Sequence, residues 1–268
     1  MFYKVFFFFI NLFPRLKKFS WKIWYNFIST RFKDDFFKFM NYGYYHTSFD
    51  LKLENSDEIE RYPVQLYHHL CSKVNLENLK VLEVGSGRGG GASFISRYHK
   101  PSKMYGIDLS PKAVDLCNEN YNIDNLNFLI GDSENIPFEN SFFDVVINVE
   151  SSHCYGSMKV FLNEVYRVLK PSGSFLFCDF RTKQEINKLY DYFNNSDFIF
   201  VNRFDITDNI LKGLDNLSDY RKKNIEKSVP FLIRSIFETY AGIKDTDIYN
   251  SFKNGEMIYI CAILKKQI

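Results

Sequence analysis

Between residues 79 and 180, short apolar runs alternate with longer amphipathic stretches. Runs of four to six apolar residues between turn signals predict strands, and the 3.6-residue periodicity between them predicts helices. Strands that alternate with helices are typical of βαβ units, which build a parallel sheet. We predict strands at Lys80–Val84, Lys103–Ile107, Asn127–Ile130, Asp144–Val149 and Ser174–Cys178, and helices at about 90–99, 111–121, 158–169 and 183–194.

The segments on either side of this region carry weaker patterns. Residues 1–45 have a helix-like spacing of aromatic residues, and residues 46–62 are typical of a polar loop. Tyr62–Val74 predicts a helix that has Pro63 near its start. After residue 195 we predict strands at Phe198–Phe204 and Met257–Leu264, separated by a mostly helical 207–250.

Together these elements predict one α/β domain with a Rossmann-like core. Its sheet has seven strands and is mostly parallel, and its last strand is antiparallel. Residues 1–78 form an N-terminal helical and aromatic cap, residues 79–180 form the ligand-binding core, and residues 181–268 complete the same domain with helices and a closing β-hairpin.

Composition and charge exclude several other classes. With 268 residues and 46% hydrophobic side chains, the chain can bury a globular core. A formal net charge of +2 gives no reason to expect nucleic-acid binding. The five cysteines are odd in number, widely spaced and without a CxxC pair, so we expect no disulfide framework, no zinc site and a reducing, cytoplasmic compartment. His68 and His69 are adjacent on a predicted helix and so do not face one metal; we predict no metal site.

The N-terminal segment allows two interpretations. The apolar run Val5–Phe13 lacks a small-residue cleavage site after it and is shorter than a membrane span, which needs about 20 apolar residues. Residues 1–40 contain eight Lys/Arg and two Asp, interleaved with Trp21, Trp24 and Tyr25. Such a segment either lies on an anionic membrane surface or packs its aromatic side chains on the core.

The strongest local signal is the loop VLEVGSGRGGG at Val81–Gly91. Glycines there allow a ligand to approach the turning backbone, and the helix that follows offers unpaired N–H groups. The spacing Gly85-x-Gly87-x-x-Gly90, with Asp108 about 20 residues downstream, also fits a dinucleotide fingerprint. The loop alone therefore leaves a nicotinamide dinucleotide and S-adenosylmethionine as alternatives.

Three further segments favour S-adenosylmethionine, because they resemble those of methyltransferases. Glu83 stands where an acid commonly holds the amino-acid part of this cofactor, and GDSENIPF at Gly131–Phe138 resembles an adenine-edge segment. The runs Phe143–Tyr155 and Glu164–Phe180 resemble the fourth strand, helix and fifth strand of class I methyltransferases. The predicted cofactor-binding residues are Glu83, Gly85, Ser86, Gly87, Gly89, Asp108, Leu109, Asp132, Ser133 and Asn148.

A closer resemblance runs along most of the chain. The motifs FMNYGYY (Phe39–Tyr45), VLEVGSGRGGGASF (Val81–Phe94) and NVESSHCY, together with segments before and after the core, are similar to the phthiotriol/phenolphthiotriol dimycocerosates methyltransferase family and to related fatty-acid O-methyltransferases. Two features depart from that pattern: Gly156 follows Tyr155 where proline is expected, and the N-terminus is richer in phenylalanine.

The resemblance implies a class I methyltransferase fold and methyl transfer to an oxygen of a lipid or lipid-like acceptor. A carbon acceptor of the quinone or sterol type is the alternative within methyltransferases; an NAD-dependent oxidoreductase and a non-catalytic binding module are more distant ones.

An alcohol acceptor needs a base, whereas a carboxylate does not. Our candidate base is His153, just after the fourth strand, with Glu150 to orient it or to accept the proton. Asp179 and Arg181 are interpreted either as site residues or as solvated loop charges, and Arg221-Lys222-Lys223 as a solvated helix face. We expect a small-molecule or lipid acceptor and no nucleic acid, with peripheral membrane contact open; nothing here predicts an oligomeric state.

Overall fold

The computed structural model describes residues 14–31, 38–49 and 51–268. The apolar run Val5–Phe13 lies outside these residues. Within them, the chain forms one seven-stranded sheet flanked by helices, with the strand order β3-β2-β1-β4-β5-β7-β6. The strands are β1 Lys80–Val84, β2 Lys103–Asp108, β3 Leu126–Ile130, β4 Phe143–Val149, β5 Leu169–Thr182, β6 Phe198–Asp205 and β7 Met257–Lys266.

Helices cover both faces of the sheet and one end of it. They are α1 Pro14–Arg31, α2 Asn55–Glu58, α3 Arg61–Cys71, α4 Gly90–Tyr98, α5 Pro111–Asn120, α6 Met158–Val168, α7 Glu185–Asn194, α8 Thr207–Ser228, α9 Arg234–Tyr240 and α10 Asp247–Lys253, with short 3₁₀ turns at Ser152–Cys154 and Phe231–Ile233.

The sheet confirms the predicted fold class. Strands β1 to β5 pair in parallel, whereas β7 is antiparallel to both β5 and β6. Because helices cover both faces, successive residues of one strand join different cores: Val145 and Ile147 pack in one apolar cluster and Val146 in the other. This two-sided burial explains why the central strands read as continuous apolar runs.

Strand β5 is longer than predicted at both ends. The segment Lys170–Gly173, expected to separate helix from strand, lies within β5. The pairing with β4 shifts there, from Phe143 opposite Leu169 to Val145 opposite Ser174. A bulge of this kind accommodates proline and glycine inside a strand without ending it.

Three expectations from the sequence are wrong. Residues 38–45 are not helical, although the aromatic spacing predicted a helix. The predicted polar loop of residues 46–62 contains the short helix α2. Cys178 and Cys261 are paired as a disulfide, because the antiparallel register of β5 and β7 places them directly opposite each other. A spacing of 83 residues along the chain gave no sign of this pair.

The N-terminal helix α1 packs mainly against α5 and against the 3₁₀ turn after β4. It therefore lies over the carboxyl edge of the parallel strands, where ligands bind in open α/β sheets. None of the helices in the described residues is both long and apolar enough to cross a membrane.

Candidate active site

A cleft of about 910 Å³, including the solvent-filled space at its mouth, opens at the carboxyl ends of β1, β2 and β4. Its floor is the glycine loop after β1, and its roof consists of α1 and residues 38–41. Eight of the twelve predicted site residues line it: Gly85, Ser86, Gly87, Asp108, Leu109, Asp132, Ser133 and Glu150.

The glycines of the loop divide into two kinds. A Cβ on Gly85 would clash with the Ser151 Oγ, and one on Gly89 would lie 2.7 Å from the ring of Phe128. A Cβ on Gly87 would meet only the Met40 sulfur, at 3.6 Å. Gly85 and Gly89 thus allow close packing of the protein on itself, whereas Gly87 keeps backbone accessible to the cleft. Gly89, a predicted cofactor contact, does not line the cleft.

This division makes a testable prediction for alanine at Gly85 and Gly87. Both have positive φ, +77° and +52°, so alanine costs about 1–2 kcal/mol of stability at either. At Gly85 the clash with Ser151 adds about 1–3 kcal/mol. Urea unfolding should therefore show G85A as clearly the less stable variant, while G87A folds and loses affinity for S-adenosylhomocysteine in calorimetric titration. Equal unfolding free energies, or unchanged affinity in G87A, would contradict the division.

Asp108, at the end of β2, connects the glycine loop to the next helix. Its carboxylate accepts the Gly87 N–H at 2.9 Å and the Ser110 N–H at 2.8 Å. Burial raises the pKa of Asp108 to about 6, against the opposing effect of these N–H donors. Asp108 is therefore ionised at neutral pH and is placed to accept hydrogen bonds from a pair of hydroxyls.

Next to Asp108, Asp132 and Ser133 follow the neighbouring strand β3 as predicted. Asp132 accepts the Glu134 N–H at 2.9 Å, and it also pairs with Lys18 of α1 at 2.5 Å. A second contact of Lys18, with Glu134, is 3.7 Å long. Helix α1 is thus attached by an ion pair to the segment that was predicted to contact the adenine edge.

Glu83 and Asn148 do not line the cleft; they lie beneath it and are fully buried. The Glu83 carboxylate accepts the hydroxyl of Tyr67, a lining residue, at 2.6 Å, and burial raises its pKa to about 8. The Asn148 amide donates to the Val84 carbonyl at 3.0 Å and to Tyr155 at 2.9 Å. Both residues support the loop from behind, and cofactor contact by either stays a prediction.

His153 is held by the carboxylate of Asp179, and not by its predicted partner Glu150. The His153 ring Nδ1 lies 2.9 Å from the Asp179 Oδ1, and the His153 backbone N–H donates to the Asp179 Oδ2 at 3.0 Å. Burial alone would lower the pKa of His153, but Cys154 and Asp179 reverse this and raise it to about 10. The ring packs on Phe180, 4.6 Å between centroids. His153 is therefore an oriented imidazolium at neutral pH.

Glu150 does not orient His153, and Asp179 takes that position instead. The Glu150 Oε1 accepts the Tyr42 N–H and the Tyr259 hydroxyl, each at 2.8 Å. Burial raises its pKa to about 7, despite these two donors. Glu150 lines the cleft and so stays a candidate for contact with a ligand. Asp179 is buried in β5, so the interpretation as a solvated loop charge is wrong for this residue.

Sequence reasoning missed the contribution of α1. Lys18, Trp21, Lys22 and Tyr25 line the cleft. The ring of Trp21 lies edge-on to His153 at 5.8 Å, although His153 itself is not a lining residue. Aromatic residues at one-turn spacing were the available signal, and they fitted a packing role and a membrane role equally well. The packing role is confirmed for Trp21, Trp24 and Tyr25.

A second cleft of about 460 Å³ adjoins the first through Phe39, Met40 and Asn41. Tyr42, Tyr220 and Tyr240 give it largely aromatic walls. Arg221, predicted to be solvated, is buried there and donates to the Asn41 carbonyl at 2.6 Å and the Ala241 carbonyl at 2.9 Å. It fixes the segment between the two clefts to α8 and to the end of α9.

The main cleft suits S-adenosylmethionine. Gly87 leaves open space where a ligand can approach, and the Ser86 Oγ is buried without a hydrogen-bond partner among the residues that the structure describes. Asp108 and Asp132 both line the cleft, each just at or after the end of its strand, and the two strands are neighbours in the sheet. The cleft offers one kind of group for each of the three parts of this cofactor. These are the backbone donors of the glycine loop, the Asp108 carboxylate for hydroxyls, and Asp132 as a second acid.

Comparison with known proteins agrees with this geometry. Residues 82–177 match the family described as "Methyltransferase domain". The phthiotriol/phenolphthiotriol dimycocerosates methyltransferase of Mycobacterium leprae is 34% identical over 240 residues, covering 89% of each chain. The fatty-acid O-methyltransferase of Mycolicibacterium smegmatis is 36% identical over 220 residues, 82% of this chain and 80% of that one.

The fold also has solved counterparts. The cyclopropane synthase MmaA2 from Mycobacterium tuberculosis superposes with a TM-score of 0.70 at 15% identity, over 87% of this chain and 94% of that chain. At this identity the likeness concerns the fold alone.

Proposed function

We propose a function from the premise that this chain belongs to the S-adenosylmethionine-dependent methyltransferases, in the family of the phthiotriol/phenolphthiotriol dimycocerosates methyltransferases. The reaction proposed is O-methylation of a lipid or lipid-like acceptor. The observation that carries it is the His153–Asp179 pair beside the cleft, an oriented group able to act on an acceptor oxygen.

Two further features support an apolar acceptor with an oxygen nucleophile. The second cleft has mostly aromatic walls and is separated from the cofactor cleft only by the segment Phe39–Asn41, so we place the apolar part of the acceptor there. The names of two relatives, a phthiotriol methyltransferase and a fatty-acid O-methyltransferase, are both those of enzymes for lipid-related substrates.

When bound, S-adenosylmethionine supplies an electrophilic methyl group on a good leaving group. The tasks left for the protein are to align the acceptor oxygen and to manage its proton, and alignment alone is worth several kcal/mol, up to about 7–11 kcal/mol in well-oriented systems. We assign acceptor alignment to the walls of the second cleft and to Glu150, and the proton to His153 Nε2. Asp179 acts as a positioning residue, because it fixes the ring through Nδ1.

The raised pKa of His153 divides acceptors into two classes. With an alcohol or phenol, His153 must be neutral to accept a proton, so turnover should rise with pH towards about 10. With a carboxylate, no base is needed and the imidazolium holds the anion, so turnover should be level at neutral pH and fall above about 10. The sulfonium of bound S-adenosylmethionine is a cation, and a nearby cation lowers the pKa of an imidazolium. The rise expected for an alcohol and the fall expected for a carboxylate therefore both move to lower pH when the cofactor is bound.

The test uses the full chain, methyl-labelled S-adenosylmethionine, and three acceptors: a long-chain fatty acid, a long-chain alcohol and an alkyl phenol. We expect label in the organic phase with at least one of them. Label lost on mild saponification identifies a methyl ester, and alkali-stable label with an ether in mass spectrometry identifies an alcohol or phenol.

Other outcomes would overturn the assignment. Label on carbon, as with a quinone- or sterol-like acceptor, would replace O-methylation by C-methylation. No transfer to these acceptors or to a total lipid extract, with normal binding of S-adenosylhomocysteine, would remove the lipid acceptor while the methyltransferase identity stands.

A further inference from the structure

We propose that α1 and the turn between α8 and α9 together form a surface that docks on an anionic lipid bilayer. We call this surface the apolar rim and define it by Phe19, Ile23, Phe231, Leu232 and Ile236. These side chains are among the most exposed large apolar ones of the protein: Phe231 is 80% and Leu232 is 90% accessible. Neither residue belongs to the cofactor cleft or to the second cleft.

Helix α1 has two apolar faces with different partners. Its inward face carries Trp21, Trp24 and Tyr25, which pack on His153, on α9 and against Cys154. Phe19 and Ile23 are one turn apart on the opposite side, and they are 59% and 53% exposed. The core therefore accounts for only one of the two faces, and the outward one stays in water.

The turn Phe231–Ile233 lies on the same side of the protein as α1. Trp24 of α1 contacts Phe237 at 5.5 Å between ring centroids and Tyr240 at 5.8 Å. Trp24 and Ile233 also pack on one small apolar cluster formed by Ile225, Val229, Phe237 and Ile243. The turn Phe231–Ile233 and the exposed face of α1 thus border the same apolar cluster and lie in one region of the surface.

Charge identifies the partner. Segments 14–31 and 222–236 together contain nine Lys/Arg and one Asp/Glu, whereas the whole chain has a formal net charge of only +2. The remainder of the protein is therefore net acidic. Lys18 and Lys22 of α1 line the cofactor cleft, so the cations beside the apolar rim are those of the second segment. Lys222, Lys223 and Lys227 lie on α8, shortly before the turn Phe231–Ile233, and are exposed. Exposed aromatic and aliphatic side chains flanked by lysines are typical of proteins that lie at the surface of an anionic membrane.

The position of the rim fits delivery of an acceptor, a point that rests on the proposed function. Tyr240 contacts Trp24 of α1 and also lines the second cleft. A lipid that leaves the bilayer near α9 would then reach the second cleft without crossing bulk water. Docking itself does not depend on which acceptor is used.

Vesicle flotation with the full chain tests the proposal independently of turnover. Vesicles of phosphatidylcholine with about one third phosphatidylglycerol should carry the protein up the gradient, and pure phosphatidylcholine should carry at least tenfold less. Raising salt from about 0.05 M to about 0.5 M should reduce flotation, because the Debye length shortens. F231T/L232T and K223E/K227E should each lower the partition coefficient at least tenfold.

A control pair is available on β6, the strand at one edge of the sheet. Ile199 and Val201 of β6 are 52% and 50% exposed, so I199T/V201T makes the same kind of change at an exposed apolar pair outside the apolar rim. This control should float like the unchanged protein, and all variants should bind S-adenosylhomocysteine normally. Equal loss in I199T/V201T, or no difference between the two vesicle types, would overturn the proposal. So would a concentration-dependent dimer in light scattering that F231T/L232T abolishes without any change in flotation, since the rim would then bind a second copy of the chain.

Discussion

Replacing His153 with alanine is expected to lower kcat by about 10²–10⁴-fold, the range that a positioned acid–base group contributes. The affinity for S-adenosylhomocysteine should stay within about twofold, because a twofold change is well under 1 kcal/mol and His153 does not line the cofactor cleft. Single-turnover methyl transfer gives the rate, and calorimetry gives the affinity. Unchanged turnover would remove His153 from the mechanism and leave it a structural residue.

The companion variant D179N separates positioning from catalysis. The asparagine side chain keeps the shape of the aspartate but lacks the negative charge that raises the pKa of His153. If His153 is the base, the rising limb of the pH–kcat profile should move to lower pH in D179N. A role of Asp179 in folding alone would reduce the amount of active protein without moving that limb, so the position of the limb is the deciding measurement.

The sheet could be predicted from the sequence because it depends on local signals. Strand β1, for example, combines a buried apolar run with the glycine loop that follows, and the prediction matches its observed bounds. The start of β5 was predicted five residues too late, because a proline and a glycine usually end an element. Here a bulge accommodates both residues within the strand. That outcome depends on pairing with β4, which no local pattern contains.

The lining of the main cleft was also largely predictable, since parallel strands bring the residues after β1, β2 and β3 to one edge. The partner of His153 was not identified, although a signal existed. Val149 pairs with Cys178 in the parallel register of β4 and β5, so residues just beyond these two must be neighbours. Applying that register to the predicted strands would have placed Asp179 beside Glu150, and so among the candidate partners of His153.

The roof of the cleft lay beyond sequence reasoning. Lys18 and Asp132 are 114 residues apart, and nothing in either segment specifies the other. The alternatives for the N-terminal segment, membrane contact or packing on the core, are moreover not exclusive. One face of α1 packs on the site and the other is exposed, and helical periodicity detects both faces without assigning a partner to either.

The second large effect is expected at Asp108, where alanine should weaken binding of S-adenosylhomocysteine at least 100-fold. Two losses combine. The Gly87 and Ser110 N–H groups lose their acceptor, which costs about 1–3 kcal/mol for each buried group left unsatisfied and loosens the loop. The cofactor in turn loses a charged acceptor for its hydroxyls, and hydrogen bonds to charged groups are worth about 1.5–3 kcal/mol.

The variant D108N and the pH dependence of binding separate these two losses. Asparagine keeps an oxygen for one N–H, so D108N should retain more of the stability than D108A while still binding weakly. In the unchanged protein, affinity should fall as pH drops below about 6, because the protonated carboxyl no longer accepts as an anion. D108N should lack that fall, since its amide does not titrate. If D108N instead binds as tightly as the unchanged protein, the charge of Asp108 has no part in holding the cofactor, and its role is confined to ordering the loop.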